Sequence, residues 1–76
     1  MTTDLRALIG AYADAFEAHE QAVYNFAQAQ LLHGGPRQRR NSVHAAALEA
    51  AAKRCRETSR AIREARGAIL AALEST

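Results

Sequence analysis

A ladder of mostly apolar residues runs through the first half of the chain at alternating steps of four and three. Because an α-helix turns once in roughly 3.6 residues, this spacing keeps every rung on one face of a helix. The rungs are Leu5, Ile9, Tyr12, Phe16, His19, Val23, Phe26, Gln30 and His33. Gly34 and Pro36 follow at once, and proline cannot supply the amide that a continuing helix needs. The ladder therefore predicts one long helix that ends near residue 33.

The second half carries a complementary pattern with a period of seven residues. Its larger rungs are Leu48, Cys55, Ile62 and Ile69, and its other rungs are His44, Ala51, Thr58, Ala65 and Ala72. Small side chains on one helix that face large ones on the other let two helix axes approach closely. The pattern thus predicts an all-α fold, an antiparallel two-helix hairpin of coiled-coil type, in which facing residue numbers sum to about 77. The expected core residues are Tyr12, Phe16, Val23, Phe26, Leu48, Ile62 and Ile69.

The ends of the two helices follow from capping residues and helix breakers. The expected parts of a single domain over residues 1–76 are helix 1 at about 3–33, a turn at about 34–42 and helix 2 at about 43–74. Thr3 has a hydroxyl that can cap helix 1, and Gly34 suits a left-handed cap at its end. Two starts remain open for helix 2. Pro36 could be its first residue, or Asn41 or Ser42 could be its N-cap.

A hairpin of 76 residues has a thin core, because each helix covers only one side of the other and alanine supplies much of the apolar content. Even compact chains of about 60 residues bury only about 60% of their unfolded surface and are marginally stable. We therefore expect a partner chain that completes a helical bundle, either a second copy in a four-helix bundle or a different protein. Apolar residues beside the ladder mark such a contact. The expected partner-binding residues are Tyr24, Leu31, Leu32 and Leu70.

Histidines interrupt the apolar pattern at two levels of the hairpin. His19 falls level with Cys55 and Thr58. A Cys–His pair can bind metal or activate a thiolate. The favoured interpretation is instead a buried histidine that bonds to the hydroxyl of Thr58 or Ser59 and sets the helix register. His33 and His44 bracket the turn. They could form a pH-sensitive or metal-binding end, and the favoured interpretation is that His33 stabilises the end of its helix.

The sequence favours neither catalysis nor a bound cofactor or metal. Helical di-iron proteins use Glu-x-x-His pairs, and the sequence contains none. Gly34 and Gly35 follow a helix rather than a strand, so they do not suit a phosphate-binding loop. The single Cys55 cannot form a disulfide within the chain, no apolar run approaches the ~20 residues of a membrane span, and the N-terminus lacks a signal-peptide pattern. These features predict a cytoplasmic protein that is not an enzyme and does not span a membrane.

Basic residues are concentrated in the second half of the chain. From Pro36 onward there are nine Arg or Lys residues against four Glu, a net charge of +5, whereas the part before it carries −3. Glu49 precedes Lys53 by four residues, which suits an ion pair on a helix. The same spacing joins Arg60 to Glu64. A basic helix face can follow a phosphate backbone, so the alternative function is RNA or DNA binding by a homodimeric four-helix bundle. The candidate contacts for nucleic acid or another anion are Arg37, Arg39, Arg40, Lys53, Arg56, Arg60 and Arg63.

The plan of two amphipathic helices joined after Leu31-Leu32-His33-Gly34-Gly35 resembles the small helical-hairpin co-chaperones of type III secretion needle subunits. The order and lengths of the helices resemble that family over most of the chain, and the double-glycine turn is the local sequence match. The arginine-rich residues 37–40 do not fit the family pattern. The resemblance implies a hairpin that, together with a second chaperone, holds a helix of the needle subunit and prevents premature polymerisation. We therefore predict a non-catalytic protein–protein interaction module, such as an adaptor, a co-chaperone or an inhibitor, that binds a partner helix.

Overall fold

The chain folds as two helices packed side by side in opposite directions. The computed structural model describes residues 4–37 and 41–75, and within them α1 spans Leu5–His33 and α2 spans Ser42–Glu74. No strand occurs in these residues. The hairpin is a rod of 56 × 14 × 13 Å. The predicted all-α helical hairpin is confirmed.

Each helix begins at a polar side chain that accepts hydrogen bonds from free backbone amides. Asp4 is the N-cap of α1, and its carboxylate accepts from two amides of the first turn at 3.0 and 3.4 Å. Helix α1 therefore begins at Leu5, two residues later than expected, and Thr3 lies outside the described residues. Asn41 is the N-cap of α2 and accepts from the amide of Val43 at 2.9 Å, so the later of the two expected starts is confirmed.

Gly34 ends α1 in an unexpected conformation. Its φ of −91° and ψ of 0° are not left-handed, so the prediction of a left-handed cap is wrong. Its amide donates to the carbonyl oxygen of Gln30 at 2.8 Å. A Cβ atom at this position would overlap that same oxygen. Glycine suits the site because it has no side chain, not because it can adopt a positive φ.

The two helices meet in layers, each formed by one residue from either helix. The pairs His19–Thr58, Ala22–Cys55 and His33–His44 are in direct contact, and the residue numbers in each pair sum to 77. This confirms the expected register. The same sum defines the layers Leu5–Ala72, Leu8–Ile69, Tyr12–Ala65, Ala15–Ile62, His19–Thr58, Ala22–Cys55, Phe26–Ala51, Ala29–Leu48 and His33–His44, and every residue in these pairs is buried or half-buried.

Three large rungs of the sequence ladder lie outside this interface. Ile9, Phe16 and Val23 are 56%, 46% and 47% exposed, so the prediction that Phe16 and Val23 belong to the core is wrong. Gln30 is exposed as well, and the residues that take the places of these four rungs are Leu8, Ala15, Ala22 and Ala29. The reason lies in α2, because Ile62 already fills its layer and faces Ala15. If Phe16 faced Ile62 instead, two large side chains would share one layer and push the helix axes apart.

Replacing Gly34 should destabilise the hairpin. We expect Gly34→Ala to lower the free energy of unfolding by about 1–3 kcal/mol, since the new methyl group overlaps a backbone oxygen that cannot move freely. Gly10→Ala is the matched control. A Cβ at Gly10 meets nothing within 4 Å, so this change should raise stability by about 0.5–1 kcal/mol through helix propensity. Urea denaturation followed by circular dichroism measures both, and equal stability of the two variants would contradict the argument.

Candidate functional site

A polar layer crosses the middle of the helix interface. The Nδ1 atom of His19 lies 2.8 Å from Oγ1 of Thr58, a residue that is only 3% exposed. The Thr58 hydroxyl donates its single proton toward the carbonyl oxygens of Arg54 and Cys55, at 2.9 and 3.1 Å. His19 must therefore donate from Nδ1 to the hydroxyl oxygen. A slip of the helices by one heptad would move His19 opposite an alanine, so the layer specifies the register, as the favoured interpretation predicts.

Cys55 does not pair with the neighbouring histidine. Its thiol donates to the carbonyl oxygen of Ala22 across the interface, at 3.3 Å, while the Nδ1 atom of His19 is bonded to the hydroxyl of Thr58. The thiol is half-buried between the two helices. Among the described residues, no group of three or more His, Cys, Asp or Glu side chains could hold a metal ion.

A pair of histidines closes the interface at the turn. The ring centroids of His33 and His44 lie 4.8 Å apart, and their Nδ1 atoms share a hydrogen bond. One of the two rings must be unprotonated at Nδ1 to accept that bond. His33 also lies in the last turn of α1, where a cationic ring would suit the helix dipole. Arg37 lies beside this end, where it lines a shallow depression together with His44.

Exposed apolar residues from both helices lie along one long side of the hairpin. We call this set the apolar edge, and its members are Ile9, Phe16, Val23, Leu70 and Leu73. Four of them come four residues after a large layer residue, and Leu70 comes one residue after Ile69. In an antiparallel helix pair, these positions of both helices point to the same side. A surface groove supports this assignment. It is lined by Gln30 of α1 and by Ala45 and Ala52 of α2, and each of these residues comes one or four positions after a layer residue, as the members of the apolar edge do.

The α2 half of this side is basic. Arg56, Arg63 and Arg66 lie along it together with Glu49, and the α1 half carries Arg6 and Glu20. Within the described part of the chain, Arg56 pairs with Glu49 at 2.7 Å, whereas Arg63 and Arg66 have no ion pair. The apolar edge therefore has a row of cations on one flank.

A basic face continues around the outside of α2. Lys53, Arg56, Arg60 and Arg63 line one shallow basin, as their spacing predicts. The expected ion pairs are wrong: Glu49 binds Arg56 rather than Lys53, and no Arg60–Glu64 pair forms between these described residues. Lys53 instead lies 4.0 Å from a carboxylate oxygen of Glu57, in an exposed contact that adds little stability. The positions of Arg39 and Arg40 lie outside the described residues.

The four residues expected to bind a partner are all exposed, but they do not form one surface. Leu70 belongs to the apolar edge. Tyr24 and Leu31 lie on the outer face of α1, directed away from α2, and Leu31 is 86% exposed. Leu32 lies on the side of the hairpin opposite the apolar edge. Sequence reasoning missed Ile9, Phe16 and Val23 as surface residues, and the signal that could have found them is the match of large and small side chains between the helices.

Removing the hydroxyl at the centre of the polar layer should weaken the hairpin. We expect Thr58→Val to lower the free energy of unfolding by about 1–3 kcal/mol, because it leaves the half-buried N–H group of His19 without an acceptor. Thr58→Ser keeps the hydroxyl and is the control. Thermal denaturation at matched concentration compares the two. A valine variant as stable as the serine variant would show that the hydroxyl of Thr58 does not stabilise the hairpin.

Comparison of the chain with models of protein families, with curated proteins and with solved structures finds no match. The resemblance to needle-subunit co-chaperones therefore stays a prediction. Within the described residues, neither helix is long and apolar enough to cross a lipid bilayer.

Proposed function

We propose that this protein is a non-catalytic interaction module that binds a partner helix along its apolar edge. The exposed area carries the proposal. The chain has a mass of 8.2 kDa and exposes 5986 Å². A compact monomer of this mass exposes roughly 4,500 Å². The exposed area beyond that of a compact monomer is larger than the roughly 800 Å² that each partner contributes to a standard protein–protein interface. Contact with another chain would therefore bring the exposed area of this protein close to that of a compact monomer.

The spacing of the apolar edge suits a helix as the partner. Ile9, Phe16 and Val23 recur every seven residues along α1, which is the repeat that a second helix packs against in a coiled coil. Burial of these side chains would supply the main driving force. The arginines beside them would set the orientation of the partner.

The state of the polar groups supports a binding role rather than catalysis. Every buried side-chain nitrogen or oxygen in the described residues has a hydrogen-bond partner. The histidines and the thiol are used in holding α1 against α2. A hairpin that holds a partner's helix is also what the resemblance to needle-subunit co-chaperones implies, and a small adaptor or inhibitor would use the same surface.

Photo-crosslinking tests which surface binds. Benzoylphenylalanine placed at position 16 should form crosslinks to a helical segment of another chain, identified by mass spectrometry, because Phe16 lies at the centre of the apolar edge. The same group at position 31 reports on the outer face of α1. Crosslinks from position 31 alone would place the partner on the face of Tyr24 and Leu31. Crosslinks from neither position would refute the proposed function.

A second function, RNA or DNA binding through the basic face, is favoured by one observation: four cationic side chains line one basin. If nucleic acid binds there, Arg60→Glu should weaken binding by about tenfold, and affinity should fall steeply with added salt. Arg6→Glu, on α1, is the matched control and should have a smaller effect. Gel shifts at low salt make the measurement, and the absence of any shift with either RNA or DNA would exclude this function.

A further inference from the structure

We infer that a second copy of this chain occupies the apolar edge, in a four-helix bundle whose twofold axis runs parallel to the helices. In this bundle α1 of each copy lies beside α2 of the other. The inference rests on the proposed function, because both use the apolar edge. It goes further by naming the partner and the arrangement.

Two twofold arrangements can bring the apolar edges of two hairpins face to face. An axis parallel to the helices places α1 beside α2 of the second copy. An axis perpendicular to the helices places α1 beside α1 and α2 beside α2. The two arrangements bury the same edge, so apolar contact alone does not choose between them.

Charge chooses the parallel axis. If α2 lay beside α2, then Arg56, Arg63 and Arg66 would face the same arginines of the second copy, and this repulsion would oppose association. In the other arrangement, the basic flank of α2 faces α1 of the second copy, whose side carries only Arg6, near its start, and Glu20, near its middle. Glu20, on the same side of α1, would then approach Arg56.

The register across the bundle follows from the register within the hairpin. Rotation about an axis parallel to the helices does not change height along them, so residues that are level within one copy are also level between copies. The contact between His19 and Thr58 fixes those levels. They place Glu20 of one copy level with Arg56 of the other. At the same time, the apolar residues at the open end of the hairpin meet one another, namely Ile9 with Leu70 and Leu73, while Val23 meets the small Ala52.

Sedimentation equilibrium of the purified chain tests the partner. We expect a mass of twice 8.2 kDa at micromolar concentrations. Phe16→Asp should weaken dimerisation at least about 100-fold, because it places a charge at the centre of the contact. Tyr24→Asp is the matched control, since Tyr24 is similarly exposed but lies on the outer face of α1, and it should leave the dimer intact. Circular dichroism checks that both variants stay helical.

Charge reversal tests the arrangement. Glu20→Arg and Arg56→Glu should each weaken the dimer about tenfold, because each turns two attractive contacts of the bundle into repulsive ones. An equimolar mixture of the two variants should recover dimerisation as a heterodimer. The single variants choose between the two axes. With a perpendicular axis, position 20 faces position 20 and position 56 faces position 56, so each reversal would exchange one like-charge contact for another and leave the dimer about as stable. Recovery in the mixture then shows that the loss in the single variants comes from contacts between copies and not from a contact within one chain.

Each outcome decides one part of the inference. A chain that stays monomeric at several hundred micromolar overturns it, and crosslinks from position 16 to a different protein would then leave the proposed function standing. A dimer that tolerates Phe16→Asp refutes the placement on the apolar edge. A dimer that is sensitive to Phe16→Asp refutes the parallel axis if neither single charge reversal weakens it, or if the mixture of the two variants shows no recovery.

Discussion

The structure depends on a match of side-chain volume between the two helices. Most interface layers combine one large residue with one small one, as in Tyr12 with Ala65 and Ile62 with Ala15. This match lets the helices pack closely without overlap. It also decides what remains outside, because a layer that already holds Ile62 has no room for Phe16. The exposed apolar edge is therefore a consequence of the packing rule that forms the hairpin.

Polar contacts give this interface a unique register that its alanines cannot give. Layers built on alanine differ little from one another, so a shift by one heptad would change few apolar contacts. Two polar layers would be lost in such a shift: His19 with Thr58 at mid-length and His33 with His44 at the turn. Buried polar groups commonly serve this purpose in coiled coils, at some expense of stability. In this chain they stand at the middle and at one end of the interface.

The sequence predicts the hairpin, its direction and its register, because Gly34 and Pro36 must end the first helix and the seven-residue period of α2 is regular. It also predicts that His19 bonds to a hydroxyl of α2, with Thr58 and Ser59 as the candidates, and the structure shows Thr58. The ladder of α1 is ambiguous, since Leu5, Tyr12 and His19 fit equally with rungs three or four residues later, and hydrophobicity alone selects the larger ones. The volume of the facing residue resolves the choice between Ala15 and Phe16, which face Ile62, but not the choice between Leu8 and Ile9, which have equal volumes. Surface ion pairs such as Arg56 with Glu49 depend on long, flexible side chains, and helical spacing does not determine them.

The alanines of α1 limit the substitutions that this chain can accept during evolution. Ala15, Ala22 and Ala29 contribute little apolar area, yet each faces a larger residue across a narrow gap, and Ala22 is almost fully enclosed. A larger side chain at any of them would separate the helices, whereas the outer positions of α1 can vary in size without that penalty. The smallest residues of the interface are therefore the ones that tolerate the least substitution. The positions that resist mutation should be those with the least space around the side chain, and not those with the most hydrophobic residues.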